Sequence, residues 1–147
     1  MSMTSRRAIK RPSLVKSISR VKEFGEVFTP RELVLTMLKQ LPREVITDPA
    51  RTFCDPTCGD GAFLGPIIFL KVRSGSTPEQ ALSTTFGADI QSDNVDECRE
   101  NLLKQAERAS GQVRTVEWVT LVKRNIVVAD ALKFGWEFGS DADPSDD

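Results

Sequence analysis

Three short apolar runs, each ending at or beside an aspartate, alternate with segments long enough for helices, and this alternation leaves few folds open. The runs are Arg51 to Asp55, with Phe53 as its clearest core residue, then Thr85 to Ile90, then Asn125 to Ala129 followed by Asp130. Strands that alternate with helices build βαβ units and hence a parallel sheet, so the expected class is α/β. Between the first two runs lie an apolar helical stretch, Ala62 to Val72, and Thr77-Pro78-Glu79-Gln80, a cap, proline and capping-box pattern that opens a short helix. Pro66 must sit in the first turn of the former or kink it. Between the second and third, Asp93 to Ala109 places Val95, Cys98, Leu102, Ala106 and Ala109 on one helical stripe, and Gly111 suits its end. Val113 to Val122 fits a helix or a strand equally. Upstream, Thr29-Pro30-Arg31-Glu32 starts a helix whose Val34, Met37, Leu38 and Leu41 predict one buried face, closed near Pro42; Asp48-Pro49 marks a turn.

Composition removes several kinds of chemistry. The chain has no histidine and no tyrosine. Serine and cysteine triads, histidine-ligated metals and imidazole acid–base catalysis are therefore excluded, and any mechanism rests on carboxylates, backbone amides and a bound cofactor. Cys54, Cys58 and Cys98 have no metal-ligand spacing, so no metal is expected, and an odd count fits a reducing, cytoplasmic compartment. No apolar run reaches the roughly 18 residues of a membrane helix. Charge is uneven along the chain. Residues 1–24 hold seven Lys and Arg against Glu23 alone, and residues 137–147 hold five acids and no base. Three zones follow: a basic flexible arm over 1–22, one domain over 23–138 and an acidic tail over 139–147. The arm suits phosphates and hence DNA, or is a solvated tail.

Ligands of parallel sheets bind at the carboxyl ends of the strands. Three features fall there: the turn Asp55-Pro56-Thr57-Cys58-Gly59-Asp60-Gly61, Asp89 and Asp130. Gly59 and Gly61 let backbone N–H groups approach a ligand, and the next helix adds the positive end of its dipole. A dinucleotide site would want a third glycine where Leu64 stands, and a phosphate loop would want Gly-Lys-Ser/Thr where Gly61-Ala62-Phe63 stands. An acidic strand end beside a glycine turn better suits a ligand with a cationic amine and a ribose. Asp89 can accept from two ribose hydroxyls, Ile90 can pack on an adenine face, and Asp130 can accept from its exocyclic amine. Taken singly, the turn also fits a purely structural role, and either Asp also fits a cap on the following helix.

Together the segments are specific. Gly25-Glu26-Val27-Phe28-Thr29-Pro30 resembles the opening motif of the gamma-order adenine-N6 DNA methyltransferases, which include modification subunits of type I restriction systems. Asp55 to Leu64 resembles their S-adenosylmethionine loop, Gly87-Ala88-Asp89-Ile90 the ribose-binding strand and Asn125 to Leu132 the third motif, all in family order. The resemblance implies a Rossmann-like S-adenosylmethionine-dependent methyltransferase fold, a partial parallel sheet flanked by helices. It implies that Phe28 and Thr29 contact the methionine end of the cofactor. Asp55, Pro56 and the backbone of Cys58, Gly59 and Gly61 would hold its amino group and sugar. Asp89, Ile90 and Asp130 would hold ribose and adenine. Phe63 fits either the cofactor border or the core.

The family's Asn/Asp-Pro-Pro-Tyr/Phe motif, which holds the extruded adenine, has no counterpart, since the sequence contains no Pro-Pro. Seventeen residues follow Asp130. The expected protein is therefore a cofactor-binding part that needs a partner for methyl transfer. The alternatives are a methyltransferase-derived binding module and an interaction protein whose cofactor site has decayed. The resemblance also implies a small bacteriophage-encoded relative acting in the host cytoplasm. A sheet ending at the third strand predicts a second methyltransferase subunit or self-association along its open edge, through Trp136 and Phe138. Phe134, Trp136 and Phe138 fit packing or the stacking of a base.

Overall fold

The structure, a computed structural model, describes residues 16–17 and 30–135. Helices α1 (Arg31–Lys39) and α2 (Arg43–Thr47) lead into β1 (Phe53–Asp55). Then come α3 (Leu64–Arg73), α4 (Pro78–Ser83), β2 (Thr85–Asp89), α5 (Ser92–Ser110), α6 (Val116–Asn125) and β3 (Ile126–Val128). The sheet is parallel in the order β1-β2-β3, so each crossover carries two helices. This confirms the α/β class and the alternation of strands with helices.

Local chemistry fixes most boundaries. Thr77 and Gln80 form the predicted reciprocal box, with Gln80 N donating to Thr77 Oγ1 at 3.1 Å and Thr77 N donating to Gln80 Oε1 at 2.9 Å. Gly111 ends α5 at φ 70°, the left-handed conformation that a side chain resists. Thr115 caps α6 by accepting from Trp118 N at 3.3 Å, and the ambiguous 113–122 segment is helix from Val116 onward. Asn125, read as the start of the third strand, closes α6 instead, and its side chain donates to Leu82 O and Ser83 O at 3.1 Å. The short helix α2 was not anticipated; it follows Pro42, which suits a helix start.

The core lies between the sheet and the helices, with Leu64, Ile67, Ile68, Leu102, Trp118 and Ile126 at its centre. All five stripe residues of α5 are buried as expected. The face of α1 differs: Val34 and Leu38 are buried, but Met37 and Leu41 are exposed. No described element covers their side, where Leu33 also stands exposed.

Two polar side chains pin the scaffold. Lys71 on α3 is completely buried and donates to Arg51 O and Thr84 Oγ1, both at 2.6 Å, which ties the entrances of β1 and β2 together. Arg99 on α5 donates to Ile126 O at 2.8 Å and so holds α5 on β3. On the surface, Arg114 bridges Glu100 at 2.7 Å and Glu107 at 2.6 Å and fixes the segment that leads into α6. Among the described residues no helix is long and apolar enough to cross a membrane.

Candidate functional site

The strands end out of step. Asp55 pairs with Gly87, so β2 runs two residues beyond β1. The turn after β1 folds back over that overhang: Cys58 N donates to Ala88 O at 2.8 Å, and Gly59 N donates to the Asp89 carboxylate at 3.2 Å. Gly87 makes this possible. A Cβ there would lie 2.9 Å from Cys58 Cβ, closer than such atoms pack, and 3.0 Å from Leu64 Cδ1, so a neighbour would have to shift. Gly59 and Gly61 take φ values of 53° and 86°, the left-handed conformation that a side chain resists.

Inside the turn, Thr57 N donates to Asp55 Oδ1 at 3.0 Å and Ala62 N to Asp60 Oδ1 at 3.2 Å. Burial pushes the Asp55 carboxyl above its usual range, with the Thr57 N–H opposing and the nearby Asp89 charge adding to the rise. Asp60 is also pushed up by burial, against the Ala62 N–H. The Cys98 thiol, beneath the turn on α5, is pushed up by its hydrogen bond to buried Cys58 and then by burial, so it stays protonated at neutral pH.

Asp89 is held on three sides. Besides Gly59 N, it accepts from Gln91 N at 2.8 Å and from the Asn94 side-chain amide at 3.3 Å, both on Oδ1. A carboxylate offers about four acceptor positions, so one on Oδ2 is left for a ligand. Ile90 beside it is 47% exposed and presents an apolar surface. Ala129 N donates to Asp89 O at 3.1 Å, which carries the chain after β3 along the end of β2. Asp130 follows there, exposed, and its carboxylate accepts from Leu132 N at 3.0 Å. Asp130 thus caps a turn, with no helix following it among the described residues, and it faces solvent after β3. Phe63 is partly buried against the core.

The structure thus brings Asp55, Cys58, Gly59, Gly61 and Asp89 into one constellation, with Pro56 exposed on the same turn, Ile90 beside it and Asp130 after the neighbouring strand. Phe28 and Thr29 lie outside the described residues, as do Trp136 and Phe138. Asn94 and Asn101 at this site went unremarked in the sequence. Among the described residues no cluster of His, Cys, Asp and Glu could hold a metal ion.

The parallel α/β sheet thus carries a glycine turn folded over its central strand, with acids at the strand ends. The N-6 DNA methylase family model matches residues 16–129, and the chain belongs to that family. No curated protein and no solved structure gives a significant match. Membership ties the chain to adenine-N6 methylation of DNA.

Proposed function

We propose that the chain binds S-adenosylmethionine, the cofactor of its family, at the carboxyl edge of a Rossmann-like sheet, as the cofactor-binding part of an adenine-N6 DNA methyltransferase. One observation carries the reading: the Gly59 N–H meets the Asp89 carboxylate across thirty residues of sequence, joining the glycine turn to the second strand end. The residues present fit the group. Acids beside a glycine turn suit a ligand with a cationic amine and ribose hydroxyls, and they would repel a pyrophosphate. Asp89 would accept from the ribose through its remaining Oδ2 position, exposed Ile90 would lie against the adenine, and Asp55 would face the amino end. Asp130 would have to turn from Leu132 N toward the adenine amine. When bound, the cofactor supplies an electrophilic methyl group. The residues that hold the target adenine come from outside these residues, because no Asn/Asp-Pro-Pro-Tyr/Phe motif occurs in the chain.

Calorimetry with S-adenosylmethionine tests this reading on the wild type and on Asp89→Asn, which keeps the shape and removes the charge. Hydrogen bonds to a charged acceptor are worth about 1.5–3 kcal/mol, so Asp89→Asn should bind at least about tenfold more weakly. Equal affinity in a folded variant would remove Asp89 from the site, and absence of heat with the wild type would end the cofactor reading. Incubation with DNA and labelled cofactor should give no methyl incorporation by the chain alone.

A further inference from the structure

Asn101 stands on α5, forty residues beyond the glycine turn, and lies in none of the four segments that resemble the family's motifs. Its amide nitrogen donates to Asp60 O at 3.3 Å and to Gly61 O at 3.1 Å. One helical turn further on, Gln105 Nε2 donates to Asn101 Oδ1 at 3.3 Å, so the carbonyl end is occupied and the amino end faces the turn. Two glycines make room for this amide. A Cβ at Gly65 would stand 2.8 Å from Asn101 Nδ2, and one at Gly61 would stand 3.1 Å from it.

The effect on the turn is specific. In a trans peptide the N–H points away from the C=O. The two peptide units whose carbonyls Asn101 holds have their N–H groups bound on the other side, Gly61 N to Cys58 O at 2.9 Å and Ala62 N to Asp60 Oδ1 at 3.2 Å. Two consecutive peptide planes are therefore clamped from both sides. Cys58 O, the acceptor of Gly61 N, belongs to the same peptide unit as Gly59 N, so this clamp also sets how Gly59 N is presented to Asp89 and to a ligand.

We propose that Asn101 is a positioning residue of the cofactor site, acting through the two carbonyls of the glycine turn to hold it in its binding shape. This rests on the S-adenosylmethionine reading above. Two substitutions separate the role from packing. Asn101→Ala removes both hydrogen bonds and adds no charge. Asn101→Asp keeps the shape but makes the donor depend on pH: a neutral carboxylic acid can donate to one carbonyl, whereas a carboxylate is repelled by both.

The experiment is calorimetric titration of S-adenosylmethionine into wild type and both variants at pH 8 and pH 5.5, with circular dichroism to show that each is folded. Asn101→Ala should bind about tenfold more weakly than wild type at both pH values. Asn101→Asp should lose at least as much at pH 8, and its affinity relative to Asn101→Ala should rise toward pH 5.5 as the carboxyl facing the two carbonyls begins to take up a proton. A wild type that binds, with folded variants that bind as tightly at both pH values, overturns the role of Asn101 alone. A wild type that does not bind overturns the cofactor reading and this role with it. Should Asn101→Asp unfold at pH 8, Asn101→Ala decides, since wild-type affinity in that variant overturns the proposal.

Discussion

Lys71 turns the packing of α3 into a measurable dependence on pH. Its ammonium group is completely buried, bonded to Arg51 O and Thr84 Oγ1, and 5.5 Å from the centroid of the Phe53 ring. Burial pushes its pKa down from 10.5 to about 8, with Asp48 opposing the shift. In the unfolded chain the lysine keeps its proton up to about 10.5, so between pH 8 and 10.5 the unfolded state binds more protons than the folded one. Stability from this group must therefore rise with pH across that window. The full shift corresponds to roughly 3 kcal/mol, and screening by nearby solvent reduces it to about 2 kcal/mol. The thiols of Cys54 and Cys98 work in the opposite sense, because their pKa values are raised and the unfolded chain loses their protons first. A comparison with Lys71→Met cancels them. Urea unfolding of both proteins under reducing conditions at pH 7, 8, 9 and 10 gives the difference in stability at each pH. Wild type should gain about 2 kcal/mol over Lys71→Met between pH 7 and pH 10. A difference that stays flat would mean that the lysine is as well solvated in the folded protein as in the unfolded one, and the account of its burial would be wrong.

Gly87→Ala places a methyl group against Cys58 and Leu64 and should cost about 1–3 kcal/mol, read as a lower melting temperature; an unchanged value would show that the turn can lift off β2 freely. Trp118→Phe removes the 2.7 Å hydrogen bond from the indole Nε1 to Glu79, which holds the Glu79 carboxyl below its usual 4.5. That bond stabilises the fold above pH 4.5 and is lost as the pH falls through the lower folded value, so the variant should lose stability less steeply in acid, as thermal melts between pH 5 and 3 would record. Removal of residues 1–22 should flatten the salt dependence of DNA binding, because fewer phosphates are neutralised; an unchanged slope in a filter-binding titration would take the basic arm out of DNA contact.

Features whose cause is local were legible in the sequence. The capping box at Thr77, the left-handed Gly111 and the glycine turn after β1 each depend on a few neighbouring residues, and each stands where it was expected. Segment 113–122 was undecided because its apolar residues fit both periods, and Thr115 resolved it. Features whose cause is tertiary left no comparable trace. Lys71 sits in an apolar helical run and meets carbonyl and hydroxyl partners 20 and 13 residues away, so nothing nearby marks it as buried. Asn101 meets the turn across forty residues, and its only local sign is Gln105 one turn on. On α1, periodicity located the apolar stripe but not the width of the surface that covers it, so Val34 and Leu38 are buried while Met37 and Leu41 are not.

Asp89 shows how far legibility reaches at the site itself. Its type and its place at a strand end suggested an acceptor for a sugar. The structure gives that carboxylate a prior task, since Gly59, Gln91 and Asn94 already donate to it and thereby join the turn, the start of α5 and β2. Both tasks favour the same residue, because a carboxylate that accepts backbone N–H groups is oriented before a ligand arrives and loses little freedom on binding it. They also constrain each other. With Oδ1 filled twice, a ribose must approach from the Oδ2 side, where Gly59 stands, so the glycine turn and the sugar compete for one oxygen. A ligand seated there either shares Oδ2 with the Gly59 N–H or displaces it. The backbone amide signal of Gly59 should therefore be among those that shift most when the site is filled.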